Sequence, residues 1–312
     1  YRKVLECCKN NKIEPVVTMM HFTSPVWVIK KGGWENEDTV RYFARYCGYV
    51  AEKLGDLMSY VVTINEANMG LQVAAIAERY KRQMMAKRKE NKNNKKSDSM
   101  EGTAQVGMNF NQMLKNMFWQ RFENKRVFGT KKPENFVSAR TPEGDILVMR
   151  AHQAARAAMK KVKPELKIGL SLSLHDIQAV DGGEEAARHE WEEEFTHYLP
   201  YIKDDDFFGL QNYTRSLIGA DGICPVPKGA ETTQMDYEFY PQALEHVIRK
   251  THEEFDKAGS QDMPIMVTEN GIATEDDSRR VAFIDEATKG IAACIADNIP
   301  VIGYCYWSLM DN

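Results

Sequence analysis

Six short apolar segments, separated by longer helical patterns, constrain the fold of this 312-residue sequence more than any other feature. Each segment is nearly continuous in apolar residues, as a strand that is buried on both faces must be. This alternation predicts a parallel sheet in an α/β fold, either doubly wound or closed into a barrel. The predicted strands are Glu14–Met20, Leu57–Ile64, Leu166–Leu174, Phe207–Gln211, Pro264–Thr268 and Val301–Trp307, and the predicted helices are Asp38–Leu54, Gly144–Lys161, Pro241–Ala258 and Ser278–Asp297.

The composition is typical of a soluble globular protein, with 43% hydrophobic and 28% charged residues. A formal net charge of −4 gives no global field that would draw the chain to nucleic acid or to a membrane. No apolar run reaches the roughly 18–20 residues that span a bilayer, and the first residues form a helical pattern and not a signal peptide. Six cysteines without metal-ligand spacing favour free thiols and a cytoplasmic location.

One charged segment interrupts the alternation. Residues 78–97 contain nine basic residues and two acidic ones, with one aromatic residue, Tyr80. A nucleic-acid-binding arm is the alternative, but such arms usually carry several aromatic rings that stack on bases. The pattern favours a solvated helix that runs into a Lys/Asn-rich loop, and therefore a basic insertion at about 78–100.

Two glutamates stand at the ends of predicted strands. Glu66 follows Leu57–Ile64 through Asn65, and Glu269 follows Pro264–Thr268 and precedes Asn270. In a parallel α/β fold the chemistry lies at this carboxyl edge of the sheet, and a carboxylate there loses solvation free energy. A surface loop or a helix cap explains either glutamate alone, whereas the pair indicates carboxyls that flank a glycosidic bond. Retaining enzymes hold such carboxyls about 5–5.5 Å apart, and inverting enzymes about 6.5–9.5 Å.

Aromatic residues near the strand ends fit a sugar site, because flat rings stack on pyranose faces. Each ring taken alone is more typical of core packing. Trp307 has the strongest claim, since it follows a fully apolar strand and precedes Asp311. The four candidates are Trp27, Trp34, Tyr213 and Trp307.

Five ordered motifs identify a family resemblance. Val-Thr-Glu-Asn-Gly at 267–271 resembles the nucleophile motif of glycoside hydrolase family 1, and Thr-Ile-Asn-Glu at 63–66 resembles its acid/base motif. Segment 18–25 is similar to the third strand of that family, and Gly-Gly-Trp-Glu-Asn at 32–36 is similar to the segment after that strand. Segments 207–215 and 306–312 are similar to its sixth and eighth strands.

The resemblance implies a (β/α)8 TIM barrel formed by one catalytic domain, with this chain covering about strands three to eight. It implies a retaining, exo-acting β-glycosidase in which Glu66 is the acid/base and Glu269 is the nucleophile. The implied substrates are small β-glycosides or oligosaccharides with a terminal glucose or galactose. No metal or organic cofactor is implied, and the oligomeric state is left open.

Four further residues receive roles from the resemblance alone. Asn65 would hold the sugar 2-hydroxyl, and His21 would bind another hydroxyl of the glycone. Tyr213 would hydrogen-bond Glu269 and help to keep it ionised. Trp307 would form the platform beneath the glycone.

The sequence also departs from the family pattern. Ala67 replaces the proline that usually follows the acid/base, and Gln211-Asn212-Tyr213 replaces an Asn-Tyr-Tyr pattern. The first two strands, with a Gln and an Arg of the site, and a C-terminal Phe-Glu-Trp segment are missing, which predicts truncation at both ends. Trp-Ser-Leu-Met-Asp-Asn at 307–312 is similar to members that act on unphosphorylated sugars.

Two alternatives stay open at this point. One is a related barrel hydrolase from another family of the same clan, which the Gly-Gly-Trp and Asp-Asn segments disfavour. The other is an inactive truncated barrel that only binds carbohydrate or a protein partner. Loss of a carboxylate would mark such a protein, and both glutamates are present.

Overall fold

The computed structural model describes residues 1–91 and 121–310. The described residues form two compact units. The first unit contains Tyr1–His21, Asp38–Ala67 and Val148–Asn312, and the second contains Phe22–Glu37 and Asn68–Leu147. The prediction of a single catalytic domain stays a prediction.

Six parallel strands form the main sheet, which belongs wholly to the first unit. They lie side by side in chain order, β1-β2-β3-β5-β8-β9, so each crossover returns the chain to the next position. The remaining strands form a smaller sheet with the order β4-β6-β7. The strands are β1 Val16–Met20, β2 Tyr60–Ile64, β3 Lys167–Ser173, β4 Asp176–Ala179, β5 Phe207–Gln211, β6 Arg215–Gly219, β7 Gly222–Ile223, β8 Ile265–Asn270 and β9 Val301–Tyr306.

The two edges of the main sheet approach each other at its carboxyl end, which shows that the sheet is curled. His21 directly follows β1 and Trp307 directly follows β9, yet their ring centroids are 5.9 Å apart. A flat sheet with four strands between these edges would separate them by more than 20 Å, since neighbouring strands lie about 4.8 Å apart. The curled parallel sheet and its helices confirm the predicted (β/α)8 barrel fold, here with six of its strands.

The helices follow the strands as the apolar pattern predicts. In the helix Asp38–Leu54 the buried residues Thr39, Phe43, Cys47 and Ala51 recur every four positions and form one stripe. Residues 121–128 are also helical. The helices are α1 Arg2–Asn10, α2 Val26–Lys30, α3 Asp38–Leu54, α4 Met69–Asn91, α5 Pro142–Val162, α6 Glu184–Glu194, α7 Leu199–Ile202, α8 Ala243–Lys257 and α9 Asp277–Ala296.

All six strands predicted from the sequence are present in the main sheet, with one correction that concerns the site. Glu269 and Asn270 belong to β8 and do not follow it. The strand continues through them because every residue of Ile265–Asn270 except Thr268 is buried. The sheet β4-β6-β7 was not predicted, since its strands are short and contain polar residues such as Asp176 and Arg215.

The second unit has a polar and aromatic core of its own. Trp34 is 4% exposed, donates its ring N–H to Ser24 Oγ at 3.0 Å and packs edge-on against Phe136. Arg140 and Asp145 form a buried ion pair of 3.5 Å. Trp34 is therefore a packing residue of this unit.

Two further predictions can be compared with the described residues. The basic segment 78–91 lies in α4 as predicted, and the rest of the predicted insertion at 78–100 lies outside the described residues. All six cysteines are free thiols, as predicted.

Within 1–91 and 121–310, no helix combines the length and the apolar character that crossing a membrane requires. The cytoplasmic location stays a prediction.

Candidate active site

The carboxyl end of the main sheet holds Glu66 and Glu269, the two glutamates predicted from the sequence to be catalytic. Glu66 lies two residues beyond the end of β2, and Glu269 lies in β8. Strands β3 and β5 separate β2 from β8 in the sheet, so the curl of the sheet turns both side chains toward one space. Each glutamate is only 7% exposed. Two nearly buried carboxyls in one space are rare unless a reaction uses them.

The backbone holds Glu66 in an unusual conformation. Its φ is +45°, in the left-handed region that a residue with a β-carbon seldom adopts. Two hydrogen bonds from this turn reach β3, since Glu66 N donates to Ser171 Oγ at 3.3 Å and Ala67 N donates to Ser171 O at 3.0 Å. A proline at 67 has no N–H and could not make the second bond. Ala67, which departs from the family pattern, therefore adds a backbone hydrogen bond to β3 next to Glu66.

The environment of Glu66 favours the protonated acid. Burial first, and then the charge of Glu269, raise the pKa of Glu66 to about 8, against an opposing effect of His175. Among the described residues, Glu66 Oε2 is buried and has no hydrogen-bond partner. An ionised carboxylate would lose solvation in this position without compensation, whereas a neutral acid loses much less.

The environment of Glu269 differs because a donor reaches it. Burial raises the pKa of Glu269, and the hydrogen bond from Tyr213 opposes that rise. Tyr213 Oη donates to Glu269 Oε2 at 2.5 Å. Burial and the charge of Glu269 raise the pKa of Tyr213, so the phenol keeps its proton and acts as a donor. The two carboxyls thus lie in different environments, because a buried oxygen of Glu66 has no partner among the described residues and Glu269 accepts a hydrogen bond that favours its charged form.

A polar network beside Glu66 links β1, β2, β3 and β5. Asn65 is 4% exposed, and its Nδ2 lies 3.3 Å from His21 Nε2. Asn65 Oδ1 accepts from Gln211 Nε2 at 2.8 Å and from Ser171 Oγ at 3.4 Å. The ring of Trp307, 37% exposed, packs near the ring of His21. Six of the residues predicted from the sequence therefore lie at one edge of the sheet: Glu66, Glu269, Asn65, His21, Tyr213 and Trp307. The aromatic candidates Trp27 and Trp34 belong to the second unit.

The segment after Glu269 is fixed to β9 and to the loop after β5. Asn270 Nδ2 donates to Asn212 O at 2.7 Å, and Tyr304 Oη donates to Asn270 Oδ1 at 3.0 Å. A β-carbon at Gly271 would lie 2.0 Å from the Trp307 carbonyl oxygen. The Glu-Asn-Gly motif thus combines a carboxyl, an amide that bridges two neighbouring segments and a glycine that lets Trp307 approach.

Two polar residues of the site, Ser171 and His175, were not selected from the sequence. Ser171 is fully buried in β3, and the signal was its polar side chain inside the run Ile-Gly-Leu-Ser-Leu. His175 lies after β3, where Glu194 holds it by two contacts, Nδ1 to Oε1 at 2.6 Å and backbone N to Oε2 at 2.8 Å. The predicted aromatic candidate Trp27 lies in the second unit with 48% of its surface exposed.

Within the described residues no group of three or more His, Cys, Asp and Glu side chains is arranged to hold a metal ion. The side chains of the site are instead carboxyls, amides, a phenol and aromatic rings. Carboxyls can transfer protons and attack carbon, amides can bind hydroxyls, and rings can stack on sugar faces. This set fits acid–base and nucleophilic chemistry on a polyhydroxylated substrate.

A parallel barrel with two buried carboxyls at its carboxyl edge is the arrangement of many glycoside hydrolases. The model of Glycosyl hydrolase family 1 matches residues 1–93 and 205–312, and the chain belongs to this family. A β-galactosidase of Sulfolobus acidocaldarius is 24% identical over 357 residues, with a match that covers 100% of this chain and 61% of the relative.

Solved structures extend this comparison. The apo structure of the β-glucosidase 1317 is 34% identical with a TM-score of 0.78, and the match covers 100% of this chain and 68% of that chain. The β-glycosidase BGL167 is 36% identical with a TM-score of 0.75, and the match covers 98% of this chain and 66% of that chain. The chain thus spans about two thirds of the length of these relatives.

Proposed function

We propose that the protein is a retaining, exo-acting β-glycosidase that hydrolyses terminal, unphosphorylated β-D-glucosides or galactosides by double displacement. The observation that carries the proposal is the pair of buried glutamates in opposed environments. Glu66 has a pKa raised to about 8 and is protonated at neutral pH. Glu269 receives a hydrogen bond from Tyr213, which favours its ionised form.

In the first step Glu269 attacks the anomeric carbon while Glu66 gives its proton to the departing glycosidic oxygen. The carbon–oxygen bond to the leaving group breaks, and a covalent bond between the sugar and Glu269 forms. The aglycone leaves as a neutral alcohol, and Glu66 becomes a carboxylate. Loss of the negative charge on Glu269 lowers the pKa of Glu66 at this point, because burial still raises that pKa but the like charge no longer adds to it.

In the second step Glu66 acts as a base. It takes a proton from water, the water oxygen attacks the anomeric carbon, and the bond to Glu269 breaks. Both glutamates regain their starting protonation, and two inversions leave the β configuration unchanged. Asn65 and His21 would bind glycone hydroxyls, and Trp307 would lie beneath the sugar ring.

The proposed substrate class depends on two features. Trp-Ser-Leu-Met-Asp-Asn at 307–312 resembles the pattern of family members that act on unphosphorylated sugars. Relatives of the chain include a β-galactosidase and a β-glucosidase, which support a hexoside as the glycone. They also include a 6-phospho-β-galactosidase, so the unphosphorylated substrate rests on the pattern at 307–312.

The first experiment measures hydrolysis of p-nitrophenyl β-D-glucoside and p-nitrophenyl β-D-galactoside by the 312-residue chain and by Glu269→Gln. We expect turnover that falls by at least 10³-fold in the variant, because an amide cannot form the glycosyl intermediate. NMR of the first product should show the β anomer. Initial release of the α anomer would contradict a retaining mechanism.

A second comparison separates the two roles. The variant Glu66→Gln should retain the first step on 2,4-dinitrophenyl β-D-glucoside, whose leaving group needs no proton, and lose it on substrates with a poor leaving group. Equal losses on both substrates would contradict the role of Glu66 as the acid. A folded wild-type chain that binds sugar without turnover would favour the alternative of an inactive, carbohydrate-binding barrel.

A further inference from the structure

Gln211 is a buried glutamine in which the amide nitrogen donates a hydrogen bond and the amide oxygen accepts none from the described residues. It is the last residue of β5 and is fully buried. Its Nε2 donates to Asn65 Oδ1 at 2.8 Å and lies 3.5 Å from Ser171 Oγ. Its Oε1, although buried, has no hydrogen-bond partner among the described residues. An unpaired buried carbonyl destabilises a fold, so an apolar side chain of the same length would suit packing better.

The contact with Gln211 determines which way the Asn65 amide faces. An amide has one oxygen, which only accepts, and one nitrogen, which only donates. Gln211 Nε2 can donate only to the oxygen of Asn65, and Ser171 Oγ donates to the same oxygen at 3.4 Å. Asn65 Nδ2 therefore faces the other way, 3.3 Å from His21 Nε2, and can only donate hydrogen bonds there.

We propose that Gln211 is a positioning residue that holds Asn65 as a hydrogen-bond donor to the glycone, so that the site distinguishes a 2-hydroxyl from a 2-deoxy sugar. This inference rests on the proposed glycosidase function and on the role of Asn65 in it. Gln211 acts from β5 across β3 onto the segment that follows β2, one residue before Glu66. Gln211 also lies opposite Glu269 in the pairing of β5 with β8. Strand β5 therefore contacts both the segment that carries Glu66 and the strand that carries Glu269.

Two substitutions test this inference. Gln211→Met keeps the length of the side chain and removes the donor, so no group at 211 fixes the direction of the Asn65 amide. Gln211→Asn keeps the same amide on a side chain shorter by one methylene, so partial rescue tests whether the donor itself matters.

The experiment measures binding of deoxynojirimycin and of fagomine, its analogue without the 2-hydroxyl, by calorimetry on the 312-residue chain and its variants. The ratio of the two dissociation constants is the readout. We expect Gln211→Met to reduce the preference for deoxynojirimycin at least tenfold, and Gln211→Asn to retain part of it. Gln153→Met is the matched control, since this exposed glutamine donates to Tyr201 O away from the site.

The ratio separates positioning from packing. If Gln211→Met weakens both ligands equally and leaves the ratio unchanged, Gln211 only fills space and the inference is overturned. A wild-type chain that binds the ligands but hydrolyses no glycoside contradicts the proposed function, while the ratio still decides the role of Gln211. A folded wild-type chain that binds neither ligand overturns both. Circular dichroism of each variant identifies loss of folding, and Gln211→Asn supplies the test if Gln211→Met does not fold.

Discussion

Two residues of the same type acquire different chemistry here because their neighbours differ. Glu66 and Glu269 are equally little exposed. Glu66 lies in a left-handed turn with one carboxyl oxygen buried and without a partner, whereas Glu269 extends from a strand toward a phenol. The like charges also oppose simultaneous ionisation, so a shared proton settles on the carboxyl that has the poorer solvation.

The pH dependence of activity follows from these environments. We expect kcat/KM for p-nitrophenyl β-D-glucoside to fall above about pH 8, where Glu66 loses its proton. The acidic limb should lie above the ordinary glutamate value of 4.5, because burial raises the pKa of Glu269. The check is a full pH–rate profile. An alkaline limb near pH 5 would contradict the protonated state of Glu66, and a loss of that limb in Glu66→Gln on the dinitrophenyl substrate would support it.

The same pKa predicts that Glu66 limits stability. The folded protein keeps the proton of Glu66 up to about pH 8, whereas the unfolded chain releases it near 4.5. Stability should therefore fall as the pH rises through this window. Glu66→Gln is neutral at every pH, so we expect it to be more stable than the wild type by about 1–3 kcal/mol at pH 8 and nearly equal at pH 4.

Urea unfolding of both proteins at pH 4 and pH 8 measures this difference. Glu269→Gln is the matched control, because Tyr213 already compensates the charge of Glu269 in part. Its stabilisation at pH 8 should be smaller than that of Glu66→Gln. A Glu66→Gln variant that is less stable than the wild type at pH 8 would mean that the carboxylate is well solvated there.

At the scale of elements, apolar runs predicted the strands of the main sheet because strands buried on both faces need unbroken apolar sequence. The helix Asp38–Leu54 and the strand Phe207–Gln211 match their predicted bounds. The predicted strand ended at Thr268, just before Glu269, because a charged residue normally marks the end of a buried strand. In the structure β8 continues through Asn270. The small sheet escaped prediction since its stability depends on non-local polar pairs, such as Arg215 with Glu238 at 2.7 Å.

For the site, the local sequence predicted the two carboxyls but not the residues that hydrogen-bond to their neighbour Asn65. Gln211 and Ser171 reach Asn65 from residues 146 and 106 positions away. Such contacts depend on the register between strands and on side-chain direction, which no local pattern records. The family motifs supplied residue roles that periodicity alone could not supply.

A buried polar chain ties α5 to two strands of the sheet. Thr63 Oγ1 lies 2.8 Å from His152 Nδ1, and His152 Nε2 lies 3.0 Å from a carboxylate oxygen of Asp205, just before β5. His152 is fully buried, and Asp205 has 4% of its side chain exposed. We expect His152→Leu to destabilise the protein by about 2–4 kcal/mol, because the hydroxyl and the carboxylate lose a shared partner.

Urea unfolding at pH 7 tests the contribution of this element contact. His189→Leu is the matched control, since His189 is 68% exposed and pairs with Glu193 at 3.5 Å on the surface of α6. That variant should change the free energy of unfolding by less than about 0.5 kcal/mol. Similar small effects at both histidines would show that α5 is held by apolar packing alone.

At the scale of the whole chain, the two edge strands of the main sheet end close to each other at the site. In the described residues β1 pairs with β2 and β9 pairs with β8, so each edge strand has one neighbour. The central strands are the best buried, and β5 is buried at every position, whereas β9 has no buried residue. His21 and Trp307 nevertheless meet at 5.9 Å just beyond these edges. A sugar bound between them would join the two edges through the ligand.

Hydrogen exchange can measure that coupling strand by strand. Amides of β3 and β5 should exchange slowest, and those of β1 and β9 at least about tenfold faster, because edge strands open with a smaller free energy. Deoxynojirimycin should slow exchange in β1 and β9 more than in β3 and β5, since both His21 and Trp307 are proposed to contact the glycone and ordering them restrains the strands that carry them. The variant Trp307→Leu removes the platform on the β9 side and should abolish the protection of that edge while leaving the order of exchange in the free protein unchanged. Equal protection of all six strands by the ligand would mean that the sheet opens as one unit, and no protection at β1 would remove His21 from the proposed contacts.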